Sequence, residues 1–145
     1  MASEWIDISV SLRSGMAHWP GDPPVSIERV SDMDRGDEAN LSKMEMSVHS
    51  GTHMDAPLHF IRNGMGIDAV PFDALIGQAR VIETAERESI SAETLAANRI
   101  MPGERILFKT RNSDQNWTEK SFMSDFVYLS TEAAAYLAEM GVRTV

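Results

Sequence analysis

Three histidines and an aspartate fall within eleven residues of this chain, in the run His49-Ser50-Gly51-Thr52-His53-Met54-Asp55-Ala56-Pro57-Leu58-His59. No regular element can carry that run and still let its ring nitrogens meet. In a straight strand His49, His53, Asp55 and His59 would share one face. Residues four apart in a strand are separated by about 13 Å, however, too far for His49 and His53 to share an ion with bonds of about 2.1 Å. A helix would bring His49 and His53 together, but Gly51, the β-branched Thr52 and Pro57 all disfavour one. What remains is a sharp local bend, and glycine can take backbone angles that other residues avoid. The run therefore predicts an irregular turn in which Gly51 folds His49 back towards His53.

The chemistry of such a turn follows from its donors. Imidazole and carboxylate together suit Zn²⁺, Mn²⁺ or Fe²⁺. A single histidine is ordinarily a surface or core residue; three of them with an aspartate around a bend-permitting glycine point instead to a bound metal. Three protein ligands with a fourth position left open describe a catalytic rather than a structural site. An ion held that way lowers the pKa of its water from about 15.7 towards roughly 7 and polarises a substrate carbonyl.

Composition removes other classes of function. The formal net charge is −9, and no basic footprint is visible for displacing counterions from nucleic-acid phosphates, so no nucleic-acid partner is expected. No apolar run approaches the roughly 20 residues that cross a bilayer, and no basic stretch followed by an apolar one opens the chain, which reads as cytoplasmic and free of the membrane. The absence of cysteine excludes disulfides, zinc ribbons and a thiol nucleophile. With 145 residues, 43% of them hydrophobic, the chain is long enough for one domain with a core.

Pattern places that turn within a mixed α/β chain. Alternation predicts strands over Trp5 to Val10, Val25 to Val30 and Leu41 to Val48, with Met44 and Met46 as core filling. His18-Trp19-Pro20-Gly21-Asp22-Pro23-Pro24 holds three prolines and must be a shaped loop. Ser31 to Asn40 is acidic and exposed, and Arg62 to Gly66 is a turn. A short helix over Val70 to Ile76, a strand over Ala79 to Glu83, and a helix capped by Ser91 and running through Ala97 follow. Further strands are expected over Arg105 to Lys109 and Asp125 to Leu129. Ser130 or Thr131 caps the clearest helix, Glu132 to Met140, which Gly141 ends, and Val142 to Val145 begins another strand. Strands with interspersed helices indicate an α/β fold.

The run from His49 to Phe60 resembles the signature of the cyclase family, which includes bacterial kynurenine formamidases and isatin hydrolases. Trp19-Pro20-Gly21-Asp22-Pro23 is similar to that family's N-terminal loop, and the similarity extends along the chain to Gly141-Val142-Arg143-Thr144-Val145. The resemblance implies a swivelling β/β/α domain with a mixed sheet and a few helices, a homo-oligomer, and a hydrolase dependent on a divalent metal, zinc or else manganese. It implies a small amide as substrate, foremost N-formylkynurenine cleaved to kynurenine and formate, with isatin-like lactams and other cyclic amides open. By resemblance His49, His53 and Asp55 hold the first metal, Asp55 bridges to a second, and His59 transfers protons. Trp19 lines the substrate pocket or is an ordinary core aromatic. His18 simply lies in the loop, and Glu132 and Glu139 are solvated. The family's second metal position takes a further His and Glu from a C-terminal segment, whereas no histidine follows His59 here. Residues 1–145 are therefore expected to form a single hydrolase domain that is the N-terminal portion of a longer family domain, its C-terminal part missing. Such a chain would hold at most one metal tightly and hydrolyse aryl formamides poorly. The alternatives are a non-catalytic metal- or ligand-binding module and a purely structural interaction domain.

Overall fold

The structure, a computed structural model, describes residues 5–114 and 122–145. The chain gathers into two compact units; of the described residues the first holds 5–55 and 122, the second 56–114 and 123–145. Among the described residues no helix is long and apolar enough to cross a membrane.

The first unit is built on an antiparallel hairpin of β1 (Ser26–Ser31) and β2 (Leu41–Glu45), paired from Ser26 with Glu45 to Ser31 with Leu41 and bulged between Arg29 and Ser31. The acidic connection is a capped turn. The Asp32 carboxylate accepts from the Asp34 N–H ahead of a single 3₁₀ turn, Met33–Arg35, and Gly36 leaves it at φ +93°. Two expectations fail in this unit. Residues 5–10 form no strand. Alternation supplies a face but not a ladder, and here the Asp7 carboxylate takes both the N–H and the hydroxyl of Ser9, while the Val10 N–H donates to Thr52 Oγ1. β2 stops at Glu45 rather than Val48, and Met44 is exposed instead of filling a core. Both follow from a hairpin whose residues are all exposed except the partly covered Ser31. Among the described residues Met16 and Val25 are the buried hydrophobics of the unit.

The second unit carries the main core. After 3₁₀ turns at Pro57–His59 and Ile67–Ala69 come the one-turn helix α1 (Phe72–Leu75), β3 (Arg80–Glu83), β4 (Ser89–Ile90), α2 (Ala92–Ala97), β5 (Ile106–Lys109), β6 (Tyr128–Leu129) and α3 (Thr131–Glu139). β3 pairs parallel with β5, and β4 parallel with β6. Ile82, Ile90, Leu95, Ile100, Ile106, Val127, Ala133 and Leu137 form one buried cluster, so each paired strand and each of the two longer helices contributes to it or borders it. The expected helix ends are present. Ser91 Oγ accepts from the Thr94 N–H and Ser130 Oγ from the Ala133 N–H. Gly141, at φ +69°, closes α3 in a Schellman turn: the Gly141 N–H donates to the Ala138 oxygen and the Val142 N–H to the Leu137 oxygen. Glu132 and Glu139 are exposed, as expected. The strand expected over Val142 to Val145 reduces to one parallel bridge, Thr144 to Arg105, and the one expected from Asp125 begins only at Tyr128. The fold is thus mixed α/β, with small parallel and antiparallel sheets and few helices.

Candidate metal centre

Beyond β2 the backbone turns at Val48 and His49 and bends through Ser50, Gly51 and Thr52, so the histidine-rich run is irregular, as its composition requires. Gly51 sits at φ +66°, in the left-handed region, and a Cβ built on it would lie 2.7 Å from Leu12 Cδ2. Any side chain there would both strain the backbone and strike a neighbour. The bend has the predicted effect: the rings of His49 and His53 lie 5.5 Å apart between centroids, inclined at 75°.

Asp55 completes the group. Its Oδ1 lies 2.7 Å from His49 Nδ1 and 3.7 Å from His53 Nε2. His53 Nδ1 lies 3.0 Å from the Gly51 carbonyl oxygen. A carbonyl can only accept, so this nitrogen carries the proton, and the lone pair of Nε2 is left facing Asp55. Gly51 therefore both bends the chain and fixes the tautomer of the next histidine. All three side chains are half-buried to exposed, within reach of a solute.

Two imidazole nitrogens and a carboxylate oxygen suit a divalent metal. Two atoms on one tetrahedral ion stand about 3.4 Å apart for bonds of about 2.1 Å. The distance from His53 to Asp55 is close to that, and the contact between His49 and Asp55 needs only a small opening with loss of its shared proton. The donor chemistry of the residues present fits such an ion.

The remaining candidates stand on other turns of the chain. Trp19 lies half-exposed in the first unit, its ring 4.8 Å from that of Phe122 in an edge-on contact, so it is not a core residue. Its carbonyl accepts from the Asp22 N–H in a turn that passes through Gly21 at φ +97°. His18 is partly buried, with Nδ1 3.3 Å from the Met16 carbonyl oxygen. In the second unit, His59 ends the 3₁₀ turn that Pro57 starts, its N–H donating to the Ala56 oxygen and its ring 4.0 Å from that of Phe60. Sequence reasoning did not single out Ser47, whose hydroxyl joins Asp22 of the proline loop to the His49 backbone.

Comparison with known proteins places the chain in a family. The family described as "Putative cyclase" matches residues 6–145. A kynurenine formamidase of Bacillus cytotoxicus is 35% identical over 144 residues, covering 99% of this chain and 68% of its own length. One of Bacillus cereus is 34% identical over 143 residues, covering 99% and 67%. Among solved structures, a potential metal-dependent hydrolase with cyclase activity superposes with a TM-score of 0.76 at 28% identity, over 94% of this chain and 63% of that one. A predicted metal-dependent hydrolase from Bacillus stearothermophilus gives 0.74 at 28% identity, over 94% and 64%. The chain thus spans about two thirds of the length of its curated relatives and slightly less of those solved structures. With a family match along nearly its whole length and a glycine-centred His–His–Asp turn, the chain belongs to the cyclase family.

Proposed function

We propose that residues 1–145 serve as one metal-dependent hydrolase domain acting on a small aryl amide, with N-formylkynurenine as the leading substrate and formate and kynurenine as products. The observation that carries this reading is the convergence of His49, His53 and Asp55 around Gly51; the kynurenine formamidases among its relatives supply the substrate class. His49, His53 and Asp55 would hold the ion, zinc first and manganese second. When bound, such an ion supplies Lewis acidity and makes water nucleophilic near neutral pH.

The chain's own residues supply the rest. Hydrolysis of a formamide adds water across the C–N bond, so the departing arylamine nitrogen must gain a proton as formate is released. His59, four residues beyond Asp55, is the group proposed to carry it, because an imidazole ring can accept a proton at one nitrogen and hand it on. Trp19 offers an exposed indole face against which an aryl ring can pack. Exposed Phe60, Phe72, Trp5 and Ile6 support assembly into a homo-oligomer, since apolar area of that kind is ordinarily covered.

Purified protein would be stripped with a chelator, reloaded with zinc or manganese, and assayed for kynurenine release beside a His59→Ala variant. Turnover should vanish on stripping and return on reloading. The variant should lose about 10²–10⁴-fold in rate while its metal content by elemental mass spectrometry is unchanged. Metal-loaded protein that releases no formate from any aryl formamide would overturn the reading.

A further inference from the structure

The proline loop and the histidine run are far apart in sequence but fastened together. The Ser47 hydroxyl donates to Asp22 Oδ2 at 2.7 Å, and the same oxygen accepts from the His49 N–H at 3.2 Å. The Ser47 N–H donates to the Pro23 oxygen at 3.3 Å, and the Asp22 N–H to the Trp19 oxygen at 3.0 Å. A hydroxyl has one proton to give. Once Asp22 takes it, the lone pairs of Ser47 Oγ are held towards the His49 backbone. His49 lies outside any strand or helix, so this bond fixes its backbone where no ladder does.

We propose that Asp22 and Ser47 are positioning residues for the metal centre, and that the Asp22–Ser47–His49 relay holds the His49 ring in line with His53 and Asp55. The inference rests on the metal reading above. Because the turn that presents Asp22 also carries Trp19, the loop offered to the aryl ring and the first ligand move as one piece. The bond to Asp22 is charge-assisted and short, the kind that orients a hydroxyl firmly. Groups that orient a ligand without touching the ion typically change metal affinity by about 10–100-fold when removed.

The test titrates metal-free protein with Co²⁺ and follows both affinity and the ligand-field spectrum at saturation, for wild type, Ser47→Ala, Ser47→Thr, Asp22→Asn and Ser50→Ala. Ser50 is a local control: it is buried one residue beyond His49, and its hydroxyl has no hydrogen-bond partner among the described residues. Ser47→Ala should weaken cobalt binding about 10–100-fold and alter the spectrum, Asp22→Asn should do so less, and Ser47→Thr should restore both. Ser50→Ala should bind as wild type. A purely structural role would lower melting temperature yet leave the saturated spectrum unchanged. Wild-type affinity and spectrum in both Ser47→Ala and Asp22→Asn would overturn this inference alone; wild-type protein that takes up no cobalt would overturn it together with the metal reading. If Ser47→Ala does not fold, Asp22→Asn decides.

Discussion

Replacing Gly51 by valine should weaken the metal centre and the fold together. The residue's φ of +66° is costly for any side chain, and Leu12 Cδ2 stands 2.7 Å from where a Cβ would lie. Strain of this kind costs about 1–3 kcal/mol, and a β-branched residue at the high end adds rigidity. Thermal melting of metal-free protein and metal content after loading would both fall; a valine variant with full occupancy and unchanged melting would remove Gly51 from the account. This bend was legible in the sequence, because four-residue spacing, a glycine and a proline left no other way to bring His49 to His53. The bond from His53 Nδ1 to the Gly51 carbonyl was not legible, since a backbone acceptor has no sequence signature. Nor was the tie from Asp22 to Ser47, which joins positions 25 residues apart with no periodicity between them.

The start of α2 shows the same contrast between local and distant information. Ser91 as its cap was readable from residue type and position. Its second support comes from Glu86, whose carboxylate accepts from the Ser91 N–H at 3.2 Å and from Thr84 Oγ1 at 3.2 Å. Burial works to raise the Glu86 pKa, but the hydrogen bonds from Ser91, Thr94 and Thr84 outweigh it and hold the carboxyl below its usual range. A carboxyl depressed in the folded state stabilises the fold above its unfolded pKa, and that contribution fades as pH falls through the lower folded value. Melting followed from neutral to acid pH should therefore decline less steeply in Glu86→Gln than in wild type, while Ser91→Ala should cost about 1 kcal/mol near neutral pH and shift the acid slope in the same direction, because it removes one of those hydrogen bonds. Identical acid slopes in wild type and Glu86→Gln would show that the carboxylate contributes no linked stability. Elements with such endpoint chemistry, α2 and α3 above all, were predicted within a residue or two. Residues 5–10 and 142–145 were not, because alternation marks a face suited to a sheet without saying whether a neighbouring strand arrives.

Burial is uneven over the molecule as a whole. Among the described residues eight buried hydrophobics form the cluster of the second unit, against Met16 and Val25 in the first. Few buried contacts mean low local stability, so amides of residues 46–55 should exchange with solvent well before those of β3, β5 and α3. Loading the metal at about 100 times its Kd would add about 2.7 kcal/mol to the folded state, and the slowing of exchange should concentrate at residues 46–55 and 19–25. Uniform slowing along the chain would argue against a centre built in that turn. The pairing of the strands carries a consequence for how such a chain is made. Among the described residues only β1 and β2 are joined as a hairpin, able to close soon after Glu45 leaves the ribosome. β3 must wait for Lys109 and β4 for Leu129, because parallel partners need a long crossover between them. Until then the nascent chain carries Ile82, Ile90 and Leu95 with no partner to cover them. The interval between synthesis of β3 and of β6 is when a chaperone has most to protect, and when a pause in translation would do most harm.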